Sequence, residues 1–209
     1  MDILKKYFPG LDTLQMEQLV HFRDLISLWN QRLNLISRKD IPHLAERHIL
    51  HSLSISLLYS FPDSSRILDV GTGGGFPGIP LAILCPDVSF TLIDSIGKKV
   101  NAVREICKSL QLSNVEVMQV RAELLDDKYH YIVSRAVAHI DKFTLWVRGK
   151  IIEPSPLFPD NGILYLKGGE LTEELQSFPL ARIHDLGVNF DESFFETKKL
   201  IYLPFEGLS

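Results

Sequence analysis

Asp69 stands two residues before Gly71 in the stretch ILDVGTGGGFPGIPLA, Ile67 to Ala82, and Asp94 closes the next apolar run, SFTLID. Glycine and proline punctuate local structure strongly, and here they fall where a buried strand hands over to a helix, which is the setting of a binding loop. Gly71, Gly73 and Gly75 can take positive φ and let a ligand approach the backbone without a Cβ in the way; the following helix can begin at or near Pro77. Gly73, Gly75 and Gly78 also match G-x-G-x-x-G, with Asp94 where a ribose-binding carboxylate belongs, and spacing alone does not reject a dinucleotide. Charge favours a different ligand, because Asp69 would repel a pyrophosphate placed so close. S-Adenosylmethionine carries a sulfonium and an ammonium, has no phosphate and offers ribose hydroxyls to Asp94, so D-x-G-x-G-x-G followed by Asp94 suits it better.

A loop of this kind needs a sheet to hold it. Beyond Ser65, short apolar runs alternate with helical patterns in RILDVG, GIPLAILC, SFTLID, GKKVNAVREICKSL and VEVMQV, and further strands are expected at YIVSRA and GILYLKG. That alternation predicts an α/β fold, a mostly parallel, doubly wound sheet with crossover helices. The last pair, ARIHDLGV and KKLIYLPF, lacks an obvious connecting helix and predicts an antiparallel strand at one sheet edge. Ahead of the sheet, Phe22, Leu25, Ile26, Trp29, Leu33 and Ile36 recur at helical spacing within Thr13 to Ser37, and a second helix is expected from about Pro42 to Tyr59. The expected organisation is a helical extension over residues 1–62 and a cofactor-binding unit over residues 63–209. EPSPLFPDNG, Glu153 to Gly162, reads as a mobile loop.

The chain has 209 residues and a formal net charge of −4, enough length for a sizeable core and a balance typical of a soluble protein. Residues 66–150 carry 11 basic and 9 acidic side chains whereas residues 151–209 carry 4 and 10, so only the middle third is net positive. That excess is weak support for a polyanionic partner. No apolar run approaches the length of a membrane span and the N-terminus lacks a secretory apolar region, so a cytoplasmic protein without a membrane partner is expected. Cys85 and Cys107 are two isolated thiols, which make neither a disulfide framework nor a metal site. No metal is expected, and the protein is expected to be a monomer.

The segments WNQRLNLIS (Trp29 to Ser37), RHILHSL (Arg47 to Leu53), LDVGTGGGFPGIPLAI (Leu68 to Ile83), LIDSIGKKV (Leu92 to Val100), VSRA (Val133 to Ala136) and LKGG (Leu166 to Gly169) resemble, in matching order, the RsmG or GidB family. The resemblance implies a Rossmann-like class I methyltransferase fold with a seven-stranded sheet and an N-terminal helical extension. It further implies a bacterial enzyme that methylates guanine N7 in 16S ribosomal RNA of the small subunit from S-adenosyl-L-methionine. Carried over by motif, it implies cofactor contacts from Gly71, Phe76, Ala122, Glu123 and Arg135, with Asp94 implied by the wider fold. Family members carry an aspartate where this chain has His51 and another where it has His130, and their tails are more basic than LPFEGLS.

Guanine N7 has an exposed lone pair and no proton, so positioning and electrostatics suffice and no general base is required. An exocyclic amino acceptor would suit a PP-(Y/F) turn where this chain has Ser134, Arg135 and Ala136, and a pyrimidine C5 acceptor would need a nucleophilic cysteine outside an apolar helix. Arg135, at a strand's carboxyl end, is the expected catalytic residue, able to contact the cofactor carboxylate, guanine O6 or a phosphate. Asp69, Gly71, Gly73, Gly75, Phe76, Asp94, Ala122, Glu123 and Arg135 are the expected cofactor set. Arg47, His48, Lys98 and Arg104 are the expected substrate set, with Lys99 and Lys108 on the same helix as the last two. The alternatives are a methyltransferase of the same fold acting on a small molecule or protein, and a non-catalytic nucleotide-binding module.

Overall fold

The computed structural model describes residues 1–208. Its N-terminal part holds α1 (Asp2–Tyr7), α2 (Thr13–Trp29) and α3 (His51–Leu58). A capping box starts α2: Asp12 Oδ1 accepts from the Gln15 N–H at 2.8 Å, and Gln15 Oε1 accepts from the Asp12 N–H at 3.1 Å. The helix stops at Trp29, short of the Ser37 that apolar spacing suggests. Asn30 explains the stop, since its Oδ1 accepts from the Leu35 and Ile36 N–H groups at 2.8 and 3.0 Å and folds the chain back. The second expected helix is broken into a 3₁₀ turn over Arg38–His43, a π-helical stretch over Ala45–Leu50, and α3.

Strands β1 (Arg66–Val70), β2 (Ser89–Asp94), β3 (Val115–Gln119), β4 (Tyr131–Arg135) and β5 (Gly162–Gly168) follow, with α4 (Gly78–Leu84), α5 (Gly97–Ser109) and α6 (Ile140–Trp146) among them. With β6 (Arg182–Asp185) and β7 (Lys198–Pro204) they form one seven-stranded sheet in the order β3-β2-β1-β4-β5-β7-β6. The first five strands are parallel, and β7 runs antiparallel to both β5 and β6. The antiparallel strand therefore lies one place in from the edge rather than at it. Leu200, Ile201, Tyr202 and Leu203 of β7 are buried and need cover on both faces, whereas the short and mostly exposed RIHD of β6 tolerates the edge.

Alternation along the strands sends Ile67 to one face and Leu68 to the other. On the Ile67 face, α4 and α5 share a single apolar cluster with Leu4, Phe22 and Ile26 of the N-terminal helices. Phe22, fully buried, contributes about 2–3 kcal/mol by burial. On the other face Ile140 and Phe143 of α6 pack with Ile132 and Tyr165. Cys107 is buried in α5 and Cys85 follows α4, both as free thiols whose burial pushes their pKa up, to about 12 and about 11. Among the described residues no helix is long and apolar enough to cross a membrane.

Candidate active site

The order reversal beside β1 places the β1 and β4 carboxyl ends next to each other, and a cleft of about 400 Å³ opens there. Gly71, Gly73, Asp94, Ala122, Glu123 and Arg135 line it. Gly71, Gly73 and Gly75 all adopt positive φ. At Gly71, with φ +72°, a Cβ would also sit 2.7 Å from Val137 Cγ2, so only glycine lets the loops after β1 and β4 close together.

The glycine loop has already committed most of its amides. Gly71 and Thr72 donate to the Ile93 carbonyl, Gly75 and Phe76 donate to the Thr72 carbonyl, and Gly73 donates to Asp94 Oδ2 at 3.1 Å. Gly78 donates to Asp69 Oδ2 at 2.9 Å. A pyrophosphate bound in the dinucleotide manner needs these N–H groups free and finds two carboxylates instead. Asp94 Oδ1 accepts from the Ile96 N–H at 2.8 Å, and its oxygens keep lone pairs for ribose hydroxyls. A non-phosphate, positively charged nucleoside ligand fits this chemistry.

Asp69 is a correction. Expected as a cofactor contact, it is instead fully buried beneath the loop, accepting from the Thr72 hydroxyl at 2.6 Å as well as from Gly78. Burial pushes its pKa up to about 7 against the pull of those two donors, and its Oδ1 has no hydrogen-bond partner. Gly75 and Phe76 likewise stand behind the cleft wall: Gly75 packs against Ile79, and Phe76, 2% exposed, puts its ring under Arg135 with the guanidinium carbon 4.8 Å from the centroid.

Arg135 is held from several sides. Its Nη2 donates to His48 Nδ1 at 2.9 Å, and the His48 and Phe76 rings lie 5.3 Å apart. Burial lowers its pKa to about 10, opposed by Asp69 and Asp40, and leaves it charged at neutral pH. The loop that follows is pinned by the Tyr165 hydroxyl, which accepts from the Val137 and Ala138 N–H groups at 3.0 and 2.8 Å. Arg47 and His48 lie in the π-helical stretch, a local widening common at functional sites. Arg47 Nη1 donates to Asp40 Oδ1 at 3.1 Å, and His48 Nε2 lies 3.5 Å from Asp40 Oδ2.

Lys98 and Arg104 are exposed on the outer face of α5 and do not line the cleft; Arg104 Nε donates to the Val117 carbonyl at 3.0 Å. Lys99, one helical step from Lys98 and expected with it on an RNA-facing helix surface, turns into the cleft instead, beside Arg121, Val137 and Trp146, which the sequence did not single out. Helical phase could have singled out Lys99. Nothing in the local sequence marks Trp146 or Asp40.

The two histidines at family aspartate positions part company. His130 stands at the amino ends of the strands, where its Nδ1 accepts from the Arg66 N–H at 2.9 Å and its ring stacks on Phe158 with centroids 3.9 Å apart. It is a structural residue remote from the cleft. His51 is buried against Phe194 and Phe195, with Nε2 unpartnered, and burial foremost drives its pKa well down.

A match to GidB, described as rRNA small subunit methyltransferase G, spans residues 15–196. The chain belongs to that family. It is 50% identical over 204 residues to ribosomal RNA small subunit methyltransferase G of Christiangramia forsetii, covering 98% of this chain and 97% of that protein. It is 44% identical over 211 residues to the protein of the same name from Phocaeicola vulgatus, covering all of both. Among solved structures, a SAM dependent methyltransferase from Aquifex aeolicus aligns with a TM-score of 0.55 at 17% identity, over 79% of this chain and 94% of that one. A precorrin-6y C5,15-methyltransferase from Geobacter metallireducens aligns with a TM-score of 0.51 at 15% identity, over 80% and 88%. The family chain thus has the class I, Rossmann-like methyltransferase fold.

Proposed function

We propose that the protein transfers a methyl group from S-adenosylmethionine to N7 of a guanine in small-subunit ribosomal RNA. The observation that carries the cofactor reading is the pair of carboxylates, Asp69 and Asp94, that occupy the loop amides a phosphate would need. Family membership carries the RNA. When bound, the cofactor supplies a methyl carbon made electrophilic by its sulfonium.

The chain's own residues supply position and charge. Asp94 accepts from the ribose hydroxyls, and the positive-φ backbone at Gly71 and Gly73 lets the ligand lie against the loop. Ala122 and Glu123, lining the far side, border the base. Arg135 would present a charged fork of N–H donors to the methionine carboxylate of the cofactor or to guanine O6. Because N7 carries no proton, no residue has to accept one, and the energy of the site goes into alignment. The exposed Lys98 and Arg104 on α5 contact RNA phosphates.

The test is transfer of radiolabelled methyl from S-adenosylmethionine to small subunits and to free 16S rRNA from a strain lacking the modification, with the labelled base mapped. N7-methylguanine on either RNA is the expected result. Cofactor binding without label on either RNA would overturn the substrate assignment, and absence of cofactor binding would overturn the whole reading.

A further inference from the structure

We propose that His48 is a positioning residue that holds the Arg135 guanidinium over Phe76 at the cleft, and that Asp40 sets the imidazole tautomer able to do so. The inference rests on the reading of Arg135 given above. It moves His48 from a substrate contact to a residue that acts through another.

The hydrogen-bonding inventory forces the tautomer. Arginine has donors only, so the 2.9 Å contact between Arg135 Nη2 and His48 Nδ1 requires a bare Nδ1. A neutral imidazole with a bare Nδ1 carries its proton on Nε2, and that nitrogen faces Asp40 Oδ2 at 3.5 Å. Burial, and then the neighbouring Arg135, lower the His48 pKa to about 4, so the ring is neutral under ordinary conditions. Asp40 is itself fixed: burial pushes its carboxyl up, but the Arg47 hydrogen bond and the nearby ring more than offset this and keep it ionised. The Phe76 ring lies against both partners, 4.8 Å from the Arg135 guanidinium carbon and 5.3 Å from the His48 ring.

Both imidazole nitrogens are thus turned toward protein groups, and His48, 9% exposed, does not line the cleft. A free arginine samples many rotamers, and one held by a stacked ring and a fixed acceptor arrives already oriented. The link also joins two parts of the chain. Asp40 and His48 belong to the N-terminal helical segment and Arg135 to β4, so packing of that segment on the sheet sets the donor geometry in the cleft.

The experiment compares His48→Leu, His48→Asn, Asp40→Asn and Arg135→Ala in the full chain, with small subunits lacking the modification as substrate, and records ¹⁵N-histidine spectra of the wild type and Asp40→Asn. His48→Leu is expected to lower kcat about 30- to 100-fold with little change in KM, the scale of a displaced catalytic group. His48→Asn, whose amide oxygen can stand in for Nδ1, recovers most of the rate. Asp40→Asn falls between them, and its spectrum shows less of the Nε2–H tautomer that dominates the wild type. Wild-type turnover by His48→Leu beside an inactive Arg135→Ala overturns the positioning role, as does equal damage by Leu and Asn, or a protonated Nδ1 in the wild type. Normal turnover by Arg135→Ala instead marks failure of the earlier reading of Arg135, and the positioning role falls with it.

Discussion

At the Asp94 end of the cleft the ligand-facing groups extend directly from the strands that carry them, Asp94 closing β2 and Gly71 and Gly73 following β1, and backbone amides hold the carboxylate. At the Arg135 end the arrangement is made of side chains drawn from distant segments, with Asp40, His48 and Phe76 gathered around one guanidinium. The first end is held by backbone turns, and its geometry is as stiff as the turns that make it. The second is built to orient a charge, and it depends on how the N-terminal helical segment packs. Binding and turnover should therefore separate when the two ends are altered.

Arg135→Ala should show the largest effect, a loss of about 10²- to 10³-fold in kcat measured by methyl transfer at saturating cofactor, with Arg135→Lys recovering only part because it keeps the charge and loses the fork. Asp94→Ala should weaken S-adenosylmethionine about 100-fold by calorimetry, the scale of two charge-assisted hydrogen bonds, and leave kcat at saturation far less changed. The comparison breaks if these two variants show the same pattern of kcat and affinity.

Acid should loosen the Arg135 end. The His48 pKa falls from 6.5 to about 4 on folding and burial also drives that of His51 well down, so the unfolded chain binds more protons below about pH 6.5. Stability is then lost as pH drops from about 6.5 through about 4, at up to ~1.4 kcal/mol per pH unit for each histidine. Asp69 works in the opposite sense: its pKa is raised from 3.8 to about 7, so its contribution is present below 3.8 and lost as pH rises through about 7. Urea titrations from pH 4 to 7 should show the histidine slope, and an Asp69→Asn variant should show it undiluted. The smallest effect concerns the outer surface. Lys98→Ala and Arg104→Ala should each reduce the slope of log affinity for small-subunit RNA against log salt by about 1 while leaving cofactor affinity unchanged.

The Asp94 end was legible in the sequence because its parts are local. A strand, a glycine turn and the acid closing the next strand keep their spacing whatever the rest of the chain does, and the alternating apolar runs announced the sheet for the same reason. The Arg135 end was legible only as residue types. The His48–Arg135 contact spans 87 residues, and Asp40 enters through a 3₁₀ turn and a π-helical stretch whose hydrogen bonding no apolar periodicity encodes. Lys98 and Lys99 fit a basic helix equally well, and the 100° between consecutive helical residues decides which one turns inward. His51 and His130 look alike as departures from a family pattern, and only the fold separates them, since one opens α3 and packs against Phe194 and Phe195 while the other stands at the amino ends of β1 and β4.

Trp146, on the cleft wall, gives the site a spectroscopic handle. The chain contains two tryptophans, and the other, Trp29, packs into the apolar cluster on the opposite face of the sheet. A Trp29→Phe variant would carry a single indole, beside the residues expected to border the adenine. Its emission would then follow cofactor arrival and departure in real time, without label or substrate, and would separate the dwell time of the cofactor from the rate of the reaction.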